Sequence, residues 1–227
     1  MAKRFYKNVA VDEREGAVVV TLDGRVLKTP GKMVMRFDTS AQAELTRAEW
    51  DAQADEILLH TMPCTRLVGV ACEQTPNRRD ELLKEFCAYT STDLLCYRAD
   101  APADLAGQQA KKWQPILDWA AQDLSISLAS TTSIVAITQP EASLNAARAF
   151  ADGLNDIHLT LLLHYTASLG SAVLAAAVLE GYKTAEEAFA LSRLDQAFQN
   201  ERWGSDDEVV EKNQILLGEL IALEQLI

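Results

Sequence analysis

Val18-Val19-Val20-Thr21-Leu22-Asp23-Gly24-Arg25-Val26-Leu27 reads as two β-strands joined by a tight turn. The β-branched run favours a pleated, half-buried strand. Asp-Gly tolerates the positive φ angles of a two-residue hairpin. Upstream, Phe5, Val9 and Val11 precede a polar turn expected at Asp12–Gly16. Downstream, Thr29-Pro30-Gly31 breaks the strand, and 33–37 reads as a further one. Short strands of this kind are marginal alone, so a covering helix is required. Thr39 or Ser40 is placed to cap one from Ala41, with Trp50 as its packing surface.

Beyond Pro63 the apolar spacing is helical. Leu67, Val70 and Ala71 mark one face, and Leu82, Leu83, Phe86, Cys87 and Tyr89 another, with Pro76-Asn77 between them. A helix is expected over 103–122, bent or interrupted near Pro115, with Trp113, Ile116, Leu117 and Ala120 in the core. Residues 126–137 read as a short strand or extended connector. Pro140 opens a helix to about Ala151, and one long, nearly all-apolar helix is expected from Asn155 to Glu180, with Gly170 allowing close helix approach. Thr184 begins a helix carrying Phe189, Leu191 and Leu194; Ser205, with Glu208 three residues on, reads as the cap of the last one. The fold class expected is α+β: a small β-rich N-terminal domain, 1–60, with its covering helix, followed by a larger mainly helical domain, 61–227.

The 227 residues carry 21 basic and 33 acidic side chains, a net charge of −12. Residues 183–227 alone hold 4 basic and 10 acidic ones. A field of this sign disfavours nucleic-acid binding, which depends on neutralising phosphates. No stretch has the length and apolarity of a membrane span, so no membrane insertion is expected. The opening Met1-Ala2-Lys3-Arg4-Phe5-Tyr6 lacks the apolar run of a secretion signal. Cys64, Cys72, Cys87 and Cys96 form no Cys-x-x-Cys pair and read as reduced. Together these features point to the bacterial cytoplasm, or to the mitochondrial matrix for a processed organellar chain.

No phosphate-binding glycine motif is present, and no cofactor is expected. His158 and His164 lie six residues apart, not the four that align two ligands on one helix face. Asp93 and Asp195 read either as braced structural carboxylates or as recognition groups. Phe198, Glu201, Arg202, Trp203 and Gly204 combine an aromatic, both signs of charge and a helix stop; Trp and Arg are effective interface anchors, although Trp203 could equally fill the core.

Several ordered blocks resemble the ATP12 family of assembly chaperones for the F1 sector of ATP synthase. They are Lys3-Arg4-Phe5-Tyr6-Lys7, the run from Leu22 through Pro30, Glu49-Trp50-Asp51-Ala52-Gln53, Met62-Pro63, and Thr92 through Ala99. Trp113, Pro115, Trp119, Ser168-Leu169-Gly170-Ser171, Leu194-Asp195, Phe198-Gln199, Glu201 and Trp203-Gly204 extend them. The resemblance implies a small β-rich domain joined to a helical one. It further implies a chaperone, not an enzyme, that uses no ATP of its own. Its partner would be the unassembled F1 α subunit, held transiently by a chaperone that is monomeric when free, with α's β-facing apolar surface masked. The family's functional acidic position maps to Glu201. With it, Trp203, Arg202, Phe198, Asp195, Asp93 and Arg98 form the expected client-binding set. Two readings compete: a hydrolase whose carboxylate and His groups converge from distant segments, and a structural subunit that stays in its complex.

Overall fold

The computed structural model describes residues 2–227. It comprises a strand-rich N-terminal region followed by a mostly helical one, the expected α+β class. Two compact units divide the chain. The first contains the residues up to Arg79 together with Asn155–Leu161 and Gln225–Ile227; the second contains Asp80–Leu154 and Leu162–Glu224.

In the first unit, β1 (Ala2–Lys3) pairs antiparallel with β6 (Glu56–Ile57). A second sheet is built on β2 (Val9–Arg14) and β3 (Ala17–Leu22), in register from Val9 opposite Leu22 to Arg14 opposite Ala17. The first turn is tighter than the sequence suggests. Glu15 and Gly16 alone make it, both at positive φ, so Asp12–Arg14 continue the strand on an exposed edge. Asp23 and Gly24 make the expected hairpin to β4 (Arg25–Val26). The strand expected over 33–37 shrinks to β5 (Arg36–Phe37) and a single bridge between Lys28 and Val34. Lys32, with φ 68°, closes a turn on the Thr29 carbonyl and leaves too short a run to pair regularly.

Helix α1 (Ser40–Asp51) covers this sheet, with Thr39 as its cap. Trp50 packs edge-on against Tyr6 at 5.5 Å, and the Tyr6 hydroxyl donates to the Trp50 carbonyl at 2.6 Å. Helix α2 (Pro63–Glu73) starts on its proline, where the missing N–H costs nothing. The Glu49 carboxylate accepts from the Cys64 and Thr65 amides there, supplying partners that the helix start lacks. The Gln42 side chain donates to the Leu226 carbonyl at 2.7 Å, which holds the last residues in this unit.

The division between units falls inside α3 (Thr75–Ser91) and again farther along the chain. Pro76 does not separate two helices as expected; it sits in the first turn of α3, where proline is tolerated. Helix α4 (Ala103–Asp123) runs unbroken through Pro115, and the Trp113 indole donates to the Leu191 carbonyl at 3.0 Å. Residues 124–140 form a connector with one isolated bridge, followed by α5 (Glu141–Asp152).

The single long helix expected over 155–180 is two, α6 (Asp156–Leu169), within which another division falls after Leu161, and α7 (Ala172–Leu179). Gly170 adopts φ +69° and Ser171 caps the new helix, its hydroxyl accepting from the Leu174 amide at 3.0 Å. A Cβ on Gly170 would meet nothing within 4 Å. The left-handed backbone, and not close helix approach, therefore explains this glycine. Every residue of α7 is buried, as its all-round apolarity requires.

Helix α8 (Ala185–Ser192) opens with a capping box between Thr184 and Glu187. It stops before Leu194, which instead starts α9 (Leu194–Trp203). The last helix, α10 (Asp207–Glu224), is capped differently from expectation: the Glu208 amide donates to Asp206, not to Ser205. Its Leu220 and Leu223 are buried, and the Tyr165 hydroxyl donates to the Leu220 carbonyl at 2.6 Å.

Charge is unevenly shared. The first unit carries 12 basic and 12 acidic side chains, whereas the second carries 9 and 21, so the whole net charge of −12 resides in the second.

Candidate functional site

Helix α9 supplies the exposed half of the expected site. Leu194 and Phe198, four residues apart on one face, are buried, while the final turn emerges into solvent. Gly204 ends it at φ 85° and ψ 165°, a conformation open essentially to glycine alone. That stop fixes where Trp203 leaves the helix. Trp203 is 76 % exposed, and Glu201 is exposed with no side-chain hydrogen bond or ion pair among the described residues.

Arg202 is spent internally. Its guanidinium pairs with Asp104 at the start of α4 and lies over the Phe198 ring at 4.1 Å from the centroid. Phe198 thus acts from beneath, as a packed support. Asp195 accepts from Gln109 at 2.7 Å, and the same Gln109 side chain accepts from the Ala99 amide at 2.7 Å. Arg98 is half-buried, donating to Gln114 at 2.8 Å and more weakly to the Leu95 carbonyl at 3.4 Å. The first half of α4 is therefore a common platform: Asp104 fixes the end of α9, Gln109 its start, and Gln114 holds Arg98.

Asp93 stands apart from these groups, with no solvent exposure at all. Its carboxylate accepts from the Ser171 hydroxyl at 2.8 and 2.9 Å, from the Val173 amide at 3.0 Å and from the Leu95 amide at 3.0 Å. Burial raises its pKa to about 6, against the opposing pull of these donors. Asp93 joins the short 3-10 turn at Leu94–Cys96 to the start of α7, at the break the sequence reading missed.

The structure adds groups that sequence reasoning passed over. Asp104 and Gln109 carried no motif, because their role depends on contacts 98 and 86 residues away. On α10, Val210 and Leu217 are half-buried and Ile221 is exposed. Their spacing of seven and four residues puts them on one flank, beside the stripe that faces the core. That spacing was a readable signal.

Little supports convergent hydrolytic chemistry. A cleft of about 660 Å³ in the first unit is lined by Lys32, Arg36, Cys72, Arg79 and Asp156 among others. Its Asp156 is paired with Arg79 at 2.7 Å, and burial pushes the Cys72 thiol up, away from the reactive thiolate. His158 and Asp195 do not line this cleft. Among the described residues, no group of three or more His, Cys, Asp or Glu side chains is placed to hold a metal ion. No described helix is long and apolar enough to cross a membrane.

Comparison with known proteins identifies the lineage. The family described as ATP12 chaperone protein matches residues 3–121, more than half of the chain. The chain belongs to the ATP12 chaperone family. Its role is that of a chaperone in assembly of the F1 sector of ATP synthase. The mitochondrial protein atp12 of Schizosaccharomyces pombe is 27 % identical over 221 residues, covering 92 % of this chain and 76 % of its own. The crystal structure of Atp12 from Paracoccus denitrificans superposes with a TM-score of 0.94 at 37 % identity, covering 99 % of this chain and 97 % of that one. A lysine-for-aspartate variant of the same P. denitrificans protein superposes equally well, with a TM-score of 0.94 at 37 % identity, covering 99 % and 96 %. ATP12 relatives thus occur in both a mitochondrion and a bacterium.

Proposed function

We propose that this chain binds the unassembled α subunit of F1 and covers the apolar surface that α later presents to β, without ATP hydrolysis. The observation that carries this reading is the largely exposed Trp203 beside an unpaired Glu201, on a helix end held by Gly204 and by the Arg202–Asp104 pair. An exposed indole on a fixed backbone offers large contact area with little ordering cost. Glu201, free of internal partners, supplies a charge for a basic group of α at the rim. Arg202, Phe198, Asp195 and Arg98 position this corner, and Asp93 braces the core behind it. The helical part of the chain is the client-binding part, and the net charge of −12 on the second unit, which is mostly helical, steers encounter with a basic surface. Binding is transient, the free chaperone is monomeric, and the compartment is the bacterial cytoplasm, or the mitochondrial matrix in an organellar setting.

Charge reversal tests Glu201 directly. Glu201→Lys is expected to weaken α binding by about 10- to 100-fold. Because the exposed Glu201 side chain makes no hydrogen bond or ion pair among the described residues, the thermal unfolding midpoint should not change. Equal affinity of the wild type and the variant for isolated α, by titration calorimetry, removes Glu201 from the interface.

A further inference from the structure

Strand β5 and the turn before it wall two hollows, both within the first unit. The cleft of about 660 Å³ is lined by Lys32, Met33 and Arg36 on this side and by Ala71, Pro76 and Ile157 from the helices. A neighbouring hollow of about 520 Å³, lined by Val26 and Lys28 among others, shares Val34 and Arg36 with it. Strand alternation explains the shared wall. Met35 and Phe37 are buried in the core, which turns Val34, Arg36 and Asp38 to the opposite face.

In a chain of net charge −12, these walls are basic. Arg14, Lys28, Lys32, Arg36 and Arg79 outnumber the acids Glu15, Asp38 and Asp156. Arg79 is paired with Asp156 at 2.7 Å, and Arg14 with Asp12 at 2.6 Å. Lys28, Lys32 and Arg36 make no side-chain hydrogen bond or ion pair among the described residues. The wall that carries them is also prebuilt. The Glu73 carboxylate of α2 accepts from the Gly31 amide at 3.1 Å, while Thr29 donates to the Met33 carbonyl and accepts from the Lys32 amide, both at 2.8 Å. Lys32 itself sits at φ 68°, a conformation that residues with a Cβ adopt only where their surroundings impose it. A wall fixed in advance loses little freedom when a ligand covers it.

We infer that this cleft binds an exposed peptide segment in which an acidic side chain lies between apolar ones. The carboxylate meets Arg36, the group that both hollows share, with Lys32 in one hollow and Lys28 in the other. The apolar neighbours cover Val34 and Met33, whose thioether is 53 % exposed and adapts to irregular shapes. A lone inorganic anion fits less well. All three free cations are exposed, so solvent and salt screen their pull and apolar contact has to supply the rest. A second copy of the chain does not offer such a segment in its most acidic stretch, 206–211. That stretch lies mostly in α10, and its apolar members Val209 and Val210 are half-buried in their own fold. The site stands on the first unit alone and is independent of the α assignment.

The test uses the full chain and a capped, fluorescein-labelled Leu-Val-Glu-Val-Leu peptide in anisotropy titrations. Saturable binding is expected, at least about tenfold tighter than for the Leu-Val-Lys-Val-Leu counterpart. Arg36→Glu should weaken the acidic peptide by at least about tenfold and bind the lysine peptide at least about fivefold better than wild type does. That gain separates recognition from misfolding, because a damaged fold would lose both peptides. Met33→Ser should weaken the acidic peptide by about threefold or more. Equal affinity for the two peptides, no saturable binding by about 1 mM, or an Arg36→Glu chain unchanged toward both overturns the inference. So does a concentration-dependent dimer in sedimentation that Arg36→Glu dissociates, since a second copy would then fill the cleft. Each of these results leaves the α assignment, which rests on the second unit, untouched.

Discussion

Replacement of Asp93 by alanine is expected to destabilise the protein by about 3 kcal/mol, the largest single effect among the positions considered. The change strands the Leu95 and Val173 amides and the Ser171 hydroxyl in a fully buried site, and it removes the brace at the start of α7. For a chain of this size that loss lowers the unfolding midpoint by roughly 6–12 °C in calorimetry. Asp93→Asn keeps an accepting oxygen and should be milder. The two variants also separate by pH. Because burial lifts the Asp93 pKa from 3.8 to about 6, the native state binds more protons than the unfolded chain between those values. Stability from this group is therefore greatest below about pH 4 and declines as pH rises through 6, the reverse of a carboxylate held by an ion pair. The stability difference between wild type and Asp93→Asn should shrink over that window as pH rises. A difference that is flat with pH would show that the donors around Asp93 offset its burial, and one that grows as pH rises would show that they outweigh it.

Trp203→Ala is expected to leave stability within about 0.5 kcal/mol of wild type, because the ring is mostly in water. Client affinity should nevertheless fall by about 100-fold, the loss typical of a central aromatic anchor. Phe198→Ala is the informative contrast. Phe198 is buried and carries Arg202 on its face, so its loss should reduce folding stability as well as binding. Chemical denaturation together with α titration distinguishes these outcomes. A Trp203→Ala protein that unfolds early would place the indole in the fold; one that binds normally would place the interface elsewhere.

The architecture was legible where local chemistry dictates it. Asp23-Gly24 specifies a mirror-type turn, Thr39 and Thr184 specify helix starts, and the apolar run of α7 demands burial. Legibility ended where distant groups decide the outcome. The break at Gly170 and Ser171 is read as one helix by periodicity, because both segments are apolar; its cause includes Asp93, 78 residues away from Ser171. In the site, an aromatic followed by a glycine stop marked Trp203 as an anchor, but could not separate an exposed ring from a buried one. Asp93 and Glu201 are both carboxylates in family-like blocks. Only their surroundings, a closed ring of donors for one and open solvent for the other, give them different work.

That this ATP12-family chaperone masks α until β replaces it is the proposed function. Its most direct measurement is co-purification of the chain with newly made, isolated α, repeated after β is added. A stable chain–α complex is expected that disappears as α–β contacts form, with the chain recovered free. Persistence of the chain in the assembled α–β fraction, or no capture of α in the absence of β, would contradict it.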